Sequence, residues 1–429
     1  MTNATTKKPT AKKRKATATT KKKKPPSPAK KRKTTATTTP QQSSPILSLP
    51  YDLLFNCLAR VSRLYYPTLS LVSKSFRSLL ASPELYRARS LLGRTESCLY
   101  VCIGGFPDCR WFTLCRKPHG LLTSGYTCTR ATSSGYVLAA VPSPQDPQKR
   151  DPVFPGLVAV GSNIYNIGPR SPLTHNFSHT ISILDCCSHT WHDAPCLQVK
   201  MTSFSASVLD QKIYVAGCCK DGDSNSYKNL MEVFDTKTQT WDPKPIPCSE
   251  TFGGLFCNTA CLDGKFHVMR DDDVVAYNSK EGRWDRVEKQ IGRYIYSKSY
   301  CEIHNVLYSC DHGNIVWYDT EAREWRELKG LVGLPEFPSD KKGIRLADYG
   351  GKMAVLWLEE WPFNFYGLRK MIWCAEITLE KRKSGEIWGK VEWFDHLLTI
   401  PTCEGKVEWF DHLLTIPTCE ILKVLAATV

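Results

Sequence analysis

Acidic residues are missing from the first 51 positions; the first is Asp52. Residues 1–45 also have almost no apolar side chains, being mostly Lys, Thr, Ala, Pro and Ser. With so little surface to bury, nothing offsets the entropy of ordering the chain, and this stretch is expected to be a disordered tail. Apolar runs of about 18 residues are absent too, at the start and elsewhere, so neither a spanning helix nor a hydrophobic leader is expected. The sequence has no Gly-rich phosphate loop, no nucleophile elbow and no metal-ligand set, which removes the commonest sequence grounds for an enzyme. Cysteine is plentiful, at 19, but odd in number and scattered. Cys98/Cys102 and Cys257/Cys261 are four apart and lack a second pair at zinc-finger spacing. Buried free thiols are therefore expected in place of a disulfide framework.

Basic charge is concentrated in one place. The net charge is +15, and residues 1–45 hold fourteen Lys and Arg, two at 7–8 and four each at 12–15, 21–24 and 30–33. The remaining chain is close to neutral, which gives no general case for a nucleic-acid-binding surface. Lys12, Lys13, Arg14 and Lys15, then Lys21 to Lys24, then Lys30, Lys31, Arg32 and Lys33 form spaced clusters of the kind that importins read. A nuclear location, shared with the cytoplasm, is the expectation. The same clusters would hold nucleic acid weakly and with strong salt dependence. A solvated tail without function is the other reading.

Residues 48–86 read as three helices. Ser48 is a candidate cap for the first, with Pro50 and Asp52 in its opening turn. Leu49, Leu53, Leu54, Cys57, Leu58 and Val61 recur at helical spacing. Pro67 is expected to open a second helix with the stripe Leu69, Val72, Phe76, Leu79 and Leu80. Pro83 starts a third, which Gly93 can end. Three short helices bury too little to be stable alone. By pattern they suit either a docking module or a helical cap on the next domain. Leu49-Pro50-Tyr51-Asp52-Leu53, Leu58-Ala59-Arg60-Val61, Leu71 to Leu80 and Ser82-Pro83-Glu84-Leu85-Tyr86 closely resemble the F-box. That resemblance implies docking on the Skp-type adapter of a cullin–RING ubiquitin ligase. It marks Leu49, Pro50, Leu53, Leu58, Val72, Ser73 and Phe76 as adapter-facing or motif-defining, some of them packing inside the unit.

Beyond the helices the apolar period falls from 3.6 to 2. Leu99–Ile103, Trp111–Leu114 and Tyr136–Val141 are short strand candidates, and 143–155 is a loop. A repeat then sets the fold. Asp185, Asp235, Asn278 and Asp319 precede Trp191, Trp241, Trp284 and Trp325, each by six residues. Upstream of each pair a turn leads into a strand, as in Asp210-Gln211-Lys212-Ile213-Tyr214. The tryptophans are 50, 43 and 41 residues apart, one four-stranded propeller blade each. Asp or Asn can hold the hairpin turn through backbone amides, and Trp offers a large face to the next blade. These units resemble the kelch repeat, and with the helices in front they resemble the plant F-box/kelch family. Trp111 and Trp388 look like the tryptophans of two more blades, for about six. The double glycine of kelch repeats is replaced at Gly168-Pro169, Gly217-Cys218, Met269-Arg270 and Ser309-Cys310, which leaves the local strand geometry open.

The expected fold is mainly β: a kelch-type β-propeller over 94–429, preceded by a three-helix F-box at 46–93 and a disordered tail at 1–45. Long excursions hold Arg170, His175 and His179 in one blade and Lys220, Asp221, Asp223 and Asn225 in the next, and binding is expected there. Residues 389–404 recur letter for letter at 405–420. One copy is expected in the last blade with the other extruded, and Leu422–Val429 can close the ring on the first blade. The leading functional reading is a ligase receptor: the helices hold the adapter, the propeller holds a target protein, and no catalytic residue, metal or cofactor is needed. A propeller enzyme would need acids converging at one mouth, and Asp271-Asp272-Asp273 sit in an evident turn. A chromatin-associated binding protein working through its basic tail is the third reading.

Overall fold

The computed structural model describes residues 49–105, 108–117, 134–142, 156–169, 179–201, 203–220, 227–248, 258–270, 273–295, 299–337, 343–363, 367–402 and 420–429. The basic clusters at Lys12–Lys15, Lys21–Lys24 and Lys30–Lys33 fall outside these, as do Ser48, the 143–155 segment and the second copy up to residue 419. Compactness divides the chain between Leu49 and Pro50, so the helices and the blades form one unit.

The helical module is α1 (Tyr51–Arg60), a 3-10 turn at Arg63–Tyr65, α2 (Tyr66–Leu69), α3 (Lys74–Leu80) and α4 (Pro83–Leu91). Two expectations change here. Pro50 is itself the N-cap of α1, in extended conformation with ψ 141°, and no side chain caps the helix. The single second helix is two, interrupted at residues 70–73. Ser73 is extended and its Oγ accepts from the Phe76 backbone N–H at 3.1 Å, so it starts α3 afresh. Gly93 ends α4 with φ +62°. Leu58, Ala59, Tyr66, Phe76, Leu79, Leu80 and Leu85 form the module's own core.

Six sheets follow. Blade 1 holds β1 (Ser97–Gly105), β2 (Asp108–Arg116) and β3 (Tyr136–Ala140), and blade 2 holds β4 (Leu157–Val160), β5 (Asn163–Pro169), β6 (His179–Asp185) and β7 (Thr190–Ala194). Blade 3 holds β8 (Ser203–Leu209), β9 (Lys212–Lys220) and β10 (Tyr227–Asp235), edged by β11 (Thr240–Trp241) and β12 (Ile246–Pro247). Blade 4 is β13 (Asn258–Leu262), β14 (Lys265–Arg270), β15 (Asp273–Asn278) and β16 (Arg283–Val287). Blade 5 is β17 (Tyr300–Ile303), β18 (Val306–Asp311), β19 (Asn314–Asp319) and β20 (Glu324–Glu327). Blade 6 is β21 (Ile344–Tyr349), β22 (Lys352–Phe363), β23 (Gly367–Lys381) and β24 (Ile387–Thr402). The last strand, β25 (Glu420–Thr428), returns to pair antiparallel with β1, Tyr100 opposite Leu425, and becomes the innermost strand of blade 1. The innermost strands touch in the cycle β25, β4, β8, β13, β17, β21 and back to β25, so the chain is a closed six-bladed propeller.

Six apolar clusters fill the gaps between neighbouring blades, each drawing on two blades. Both faces of a blade are therefore covered. That is why Val274–Tyr277 and Met231–Phe234 are buried end to end and the period-2 pattern is weak in the sequence. The glycine replacements leave the ladders unbroken: Pro169 faces His179, Cys218 faces Asn229, Met269 faces Val274 and Ser309 faces Val316. Of the described cysteines, Cys98, Cys102, Cys186, Cys218, Cys261 and Cys374 are among those buried, and none is in a disulfide.

Candidate functional site

The residues marked for the adapter divide into two groups. Pro50 is exposed, and Leu49, Leu53 and Val72 are 41%, 55% and 53% exposed, with Tyr51 at 64% and Leu71 at 74% beside them in sequence. Leu58 and Phe76 are 4% and 3% exposed and pack in the module's core, so they support the helices from inside. Ser73 caps α3. A helical unit that has a complete core and still carries Tyr51, Leu53, Leu71 and Val72 in water has apolar surface to offer.

The helices are fixed to the ring by a polar junction that the motif reading missed. Arg63, only 7% exposed, donates from Nη1 to Tyr86 Oη at 2.6 Å and from Nη2 to the Cys186 carbonyl at 2.7 Å. Tyr86 Oη also reaches the Cys187 carbonyl at 3.1 Å, and Tyr100 Oη lies 2.9 Å from His189 Nε2. Cys186 and His189 belong to the turn between β6 and β7, so helix and blade 2 are joined directly. Below them Glu96 pairs with fully buried Arg89 at 3.1 Å and accepts from Ser62 Oγ at 2.9 Å and Arg63 N at 3.0 Å. Arg89 satisfies the ends of the helices, donating to the carbonyls of Val61 at 2.6 Å and Arg94 at 2.7 Å. Burial, with the nearby Arg63 charge, lowers the His189 pKa to about 4, so the imidazole is neutral at physiological pH.

In the blades the repeated letters have defined tasks. Asp185 accepts from Cys187 N at 2.9 Å, Asp235 from Lys237 N at 2.9 Å, Asn278 from Lys280 N at 3.1 Å and Asp319 from Glu321 N at 3.0 Å. Four residues after each, the turn closes in left-handed conformation at His189, Gln239, Gly282 and Arg323, with φ between 56° and 66°. Each tryptophan then ties its blade to the one before. Trp191, Trp241, Trp284 and Trp325 donate from Nε1 to the carbonyls of Pro142 (3.2 Å), Pro195 (2.9 Å), Pro247 (3.0 Å) and Gln290 (2.8 Å). Blade 6 uses backbone for this: Gly389 N donates to the Lys329 carbonyl at 2.8 Å, next to Trp388 on the outermost strand β24. Trp111 is a correction. It lies on β2, the third strand out from the axis, and packs on Trp191 at 6.2 Å, so it is not the outer-strand tryptophan of blade 1.

Arg170, His175, Asp221, Asp223 and Asn225 lie outside the described residues, as do Asp271 and Asp272. His179 opens β6, Lys220 ends β9 and Asp273 opens β15. These strand ends are at the opposite end of the blades from the β6–β7 turn that meets Arg63. Among the described residues no group of three or more acidic, His or Cys side chains could hold a metal ion. The axis of the ring holds a channel of about 450 Å³ lined by Glu302, Asp348, Lys423 and Thr259 among others. Glu302 lines this channel and keeps access to its solvent. Partial desolvation inside the channel, reinforced by Asp348 and Asp263, raises its pKa to about 7 against the opposing Asn305 N–H.

Comparison with known proteins agrees with this geometry. The model of the FKB95 kelch-repeats domain matches residues 111–398, and the F-box domain model matches residues 46–88. An F-box/kelch-repeat protein of Arabidopsis thaliana is 59% identical over 360 residues, 82% of this chain and 96% of that protein. A second from the same plant is 49% identical over 391 residues, 90% of this chain and 94% of its own, and a third is 51% identical over 371 residues, 84% and 92%. The chain belongs to the F-box/kelch-repeat family.

Proposed function

We propose that this protein is the target-recognition subunit of an SCF-type, cullin–RING ubiquitin ligase. The helical module binds a Skp-type adapter and the propeller binds a target protein. The observation that supports it most is the group of exposed apolar side chains, Tyr51, Leu53, Leu71 and Val72, on helices whose core is already complete. The protein's own side chains make and break no bond; it raises the target's local concentration beside the ubiquitin-loaded enzyme. The target surface is assigned to residues 170–178 and 221–226, which connect β5 to β6 and β9 to β10; the flanking strand ends lie away from the β6–β7 turn that meets Arg63. The basic clusters at Lys12–Lys15 and Lys30–Lys33 serve importin recognition, with nucleic-acid contact weak and salt-dependent.

The test is adapter capture by the full chain. Leu53→Asp and Val72→Asp should abolish capture while circular dichroism and melting stay unchanged, because both positions are exposed. Capture that survives both substitutions, or its absence from the folded parent, would sink the reading. A fluorescent fusion lacking residues 1–45 should lose nuclear accumulation; an unaltered distribution removes the import role.

A further inference from the structure

Between the helical module and blades 1 and 2 lies a cavity of about 340 Å³. Its wall includes Arg63, Arg77, Ser70, Ser97, Thr113 and His189. The charge balance here is uneven. A guanidinium taken out of water is costly unless an anion pairs with it. Among the described residues no ion pair includes the Arg63 guanidinium; its partners are the Tyr86 and Tyr100 hydroxyls, the Cys186 carbonyl and the His189 ring. Two carboxylates are near: Glu96, itself in the cavity wall, is engaged by Arg89 at 3.1 Å and touches Arg63 only through the backbone N–H, and Asp185 acts on His189. Tyr86 and Tyr66 rings, 5.1 Å and 5.6 Å from the guanidinium carbon, supply partial compensation. Arg77, exposed on α3, adds a second positive charge to the same cavity. The Ser97 hydroxyl can donate, whereas those of Ser70 and Thr113 already donate to the carbonyls of Pro67 and Leu99 at 2.7 and 3.1 Å; the imidazole of His189 is held neutral where a third cation would otherwise stand.

We propose that this junction cavity is a binding site for a small, multiply charged oxyanion of the phosphate type, held by Arg63 and Arg77. Arg63 contributes the preorganised, desolvated charge, and Arg77 closes over the ligand from the helical side. A bound anion would bridge α3 to the ring and tighten the joint between the two parts. The assignment does not depend on the adapter reading, since every residue it uses lies within one chain.

Isothermal titration of the full chain tests it, with orthophosphate and pyrophosphate as ligands and chloride at matched ionic strength as the control. Saturable one-to-one binding is expected, weakened roughly tenfold or more by Arg77→Gln, the loss of one charge-assisted contact. Arg63→Gln should abolish it. Arg77 is exposed, so its variant keeps the test valid if the Arg63 variant fails to fold. Heat no greater than that of chloride, or an affinity unmoved by Arg77→Gln, overturns the site. Phosphoserine in a third arm separates the sources of the anion: tighter binding of pyrophosphate assigns a free anion, and tighter binding of phosphoserine assigns a phosphorylated side chain.

Discussion

Asp319 and Trp241 show what the two repeated letters contribute. Asp319 collects the N–H groups of Glu321 and Ala322, at 3.0 and 3.1 Å, and a side-chain amide can accept both, as Asn278 does in blade 4. Asp319→Ala should therefore cost about 1 kcal/mol of unfolding free energy and Asp319→Asn well under half of that, measured by urea titration. Trp241→Phe keeps a ring against Phe234 but gives up the 2.9 Å bond to the Pro195 carbonyl, and about 1 kcal/mol is expected for it. Glu302 provides a pH signature. Holding its proton up to about 7 in the folded chain, it binds more protons there than when unfolded, so its contribution to stability declines as pH climbs from the ordinary carboxylate range to 7. Glu302→Gln should melt higher than the parent at pH 8, and the gap should close toward pH 5. A gap of equal size at both values contradicts this.

At the scale of elements the helical module separates packing from display. Leu58→Ala empties a position that is 4% exposed and should cost about 2–5 kcal/mol. Leu53→Ala, at 55% exposed, should leave the melting curve in place. Ser73→Ala removes the cap of α3 and should cost about 1 kcal/mol. The sequence made these helices legible through proline and apolar spacing, but not their breaks. A stripe from Leu69 to Leu80 looks continuous, and only the extended backbone at Ser73 shows that two helices share it. The strands were readable where turns bound them and less so inside, because burial on both faces erases alternation. The Arg63 joint was unreadable for another reason: Arg63 and Cys186 are 123 positions apart, and no local pattern marks a contact of that span.

On the scale of the whole molecule, four Asp/Asn–Trp pairs were enough to give the ring and close to its size, because each blade is one self-similar unit. Blade 1 escaped that logic. Its outermost strand, β3, has no tryptophan, and Trp111 sits one strand further in. The duplicated segment lends itself to a clean experiment, since deleting 389–404 or 405–420 yields the same chain. The first copy lies in β24, which at 16 residues is far longer than β16 and β20, at 5 and 4. The shortened chain should draw its connection to β25 from the far end of β24 and still close the ring, at a cost of about 2–5 kcal/mol as buried Ile400 leaves the core. Failure to fold would show that both copies are required. The pairing of β25 with β1 also bears on how the protein is made. β1 precedes its inner-edge partner β25 by the length of five blades, so during synthesis that edge of blade 1 waits for a partner until β25 has been made. A chain stopped short of Glu420 is expected to leave that edge of β1 unpaired and to aggregate where the full chain does not, measured by light scattering. The pairing thus makes closure of the ring depend on translation running past the duplication.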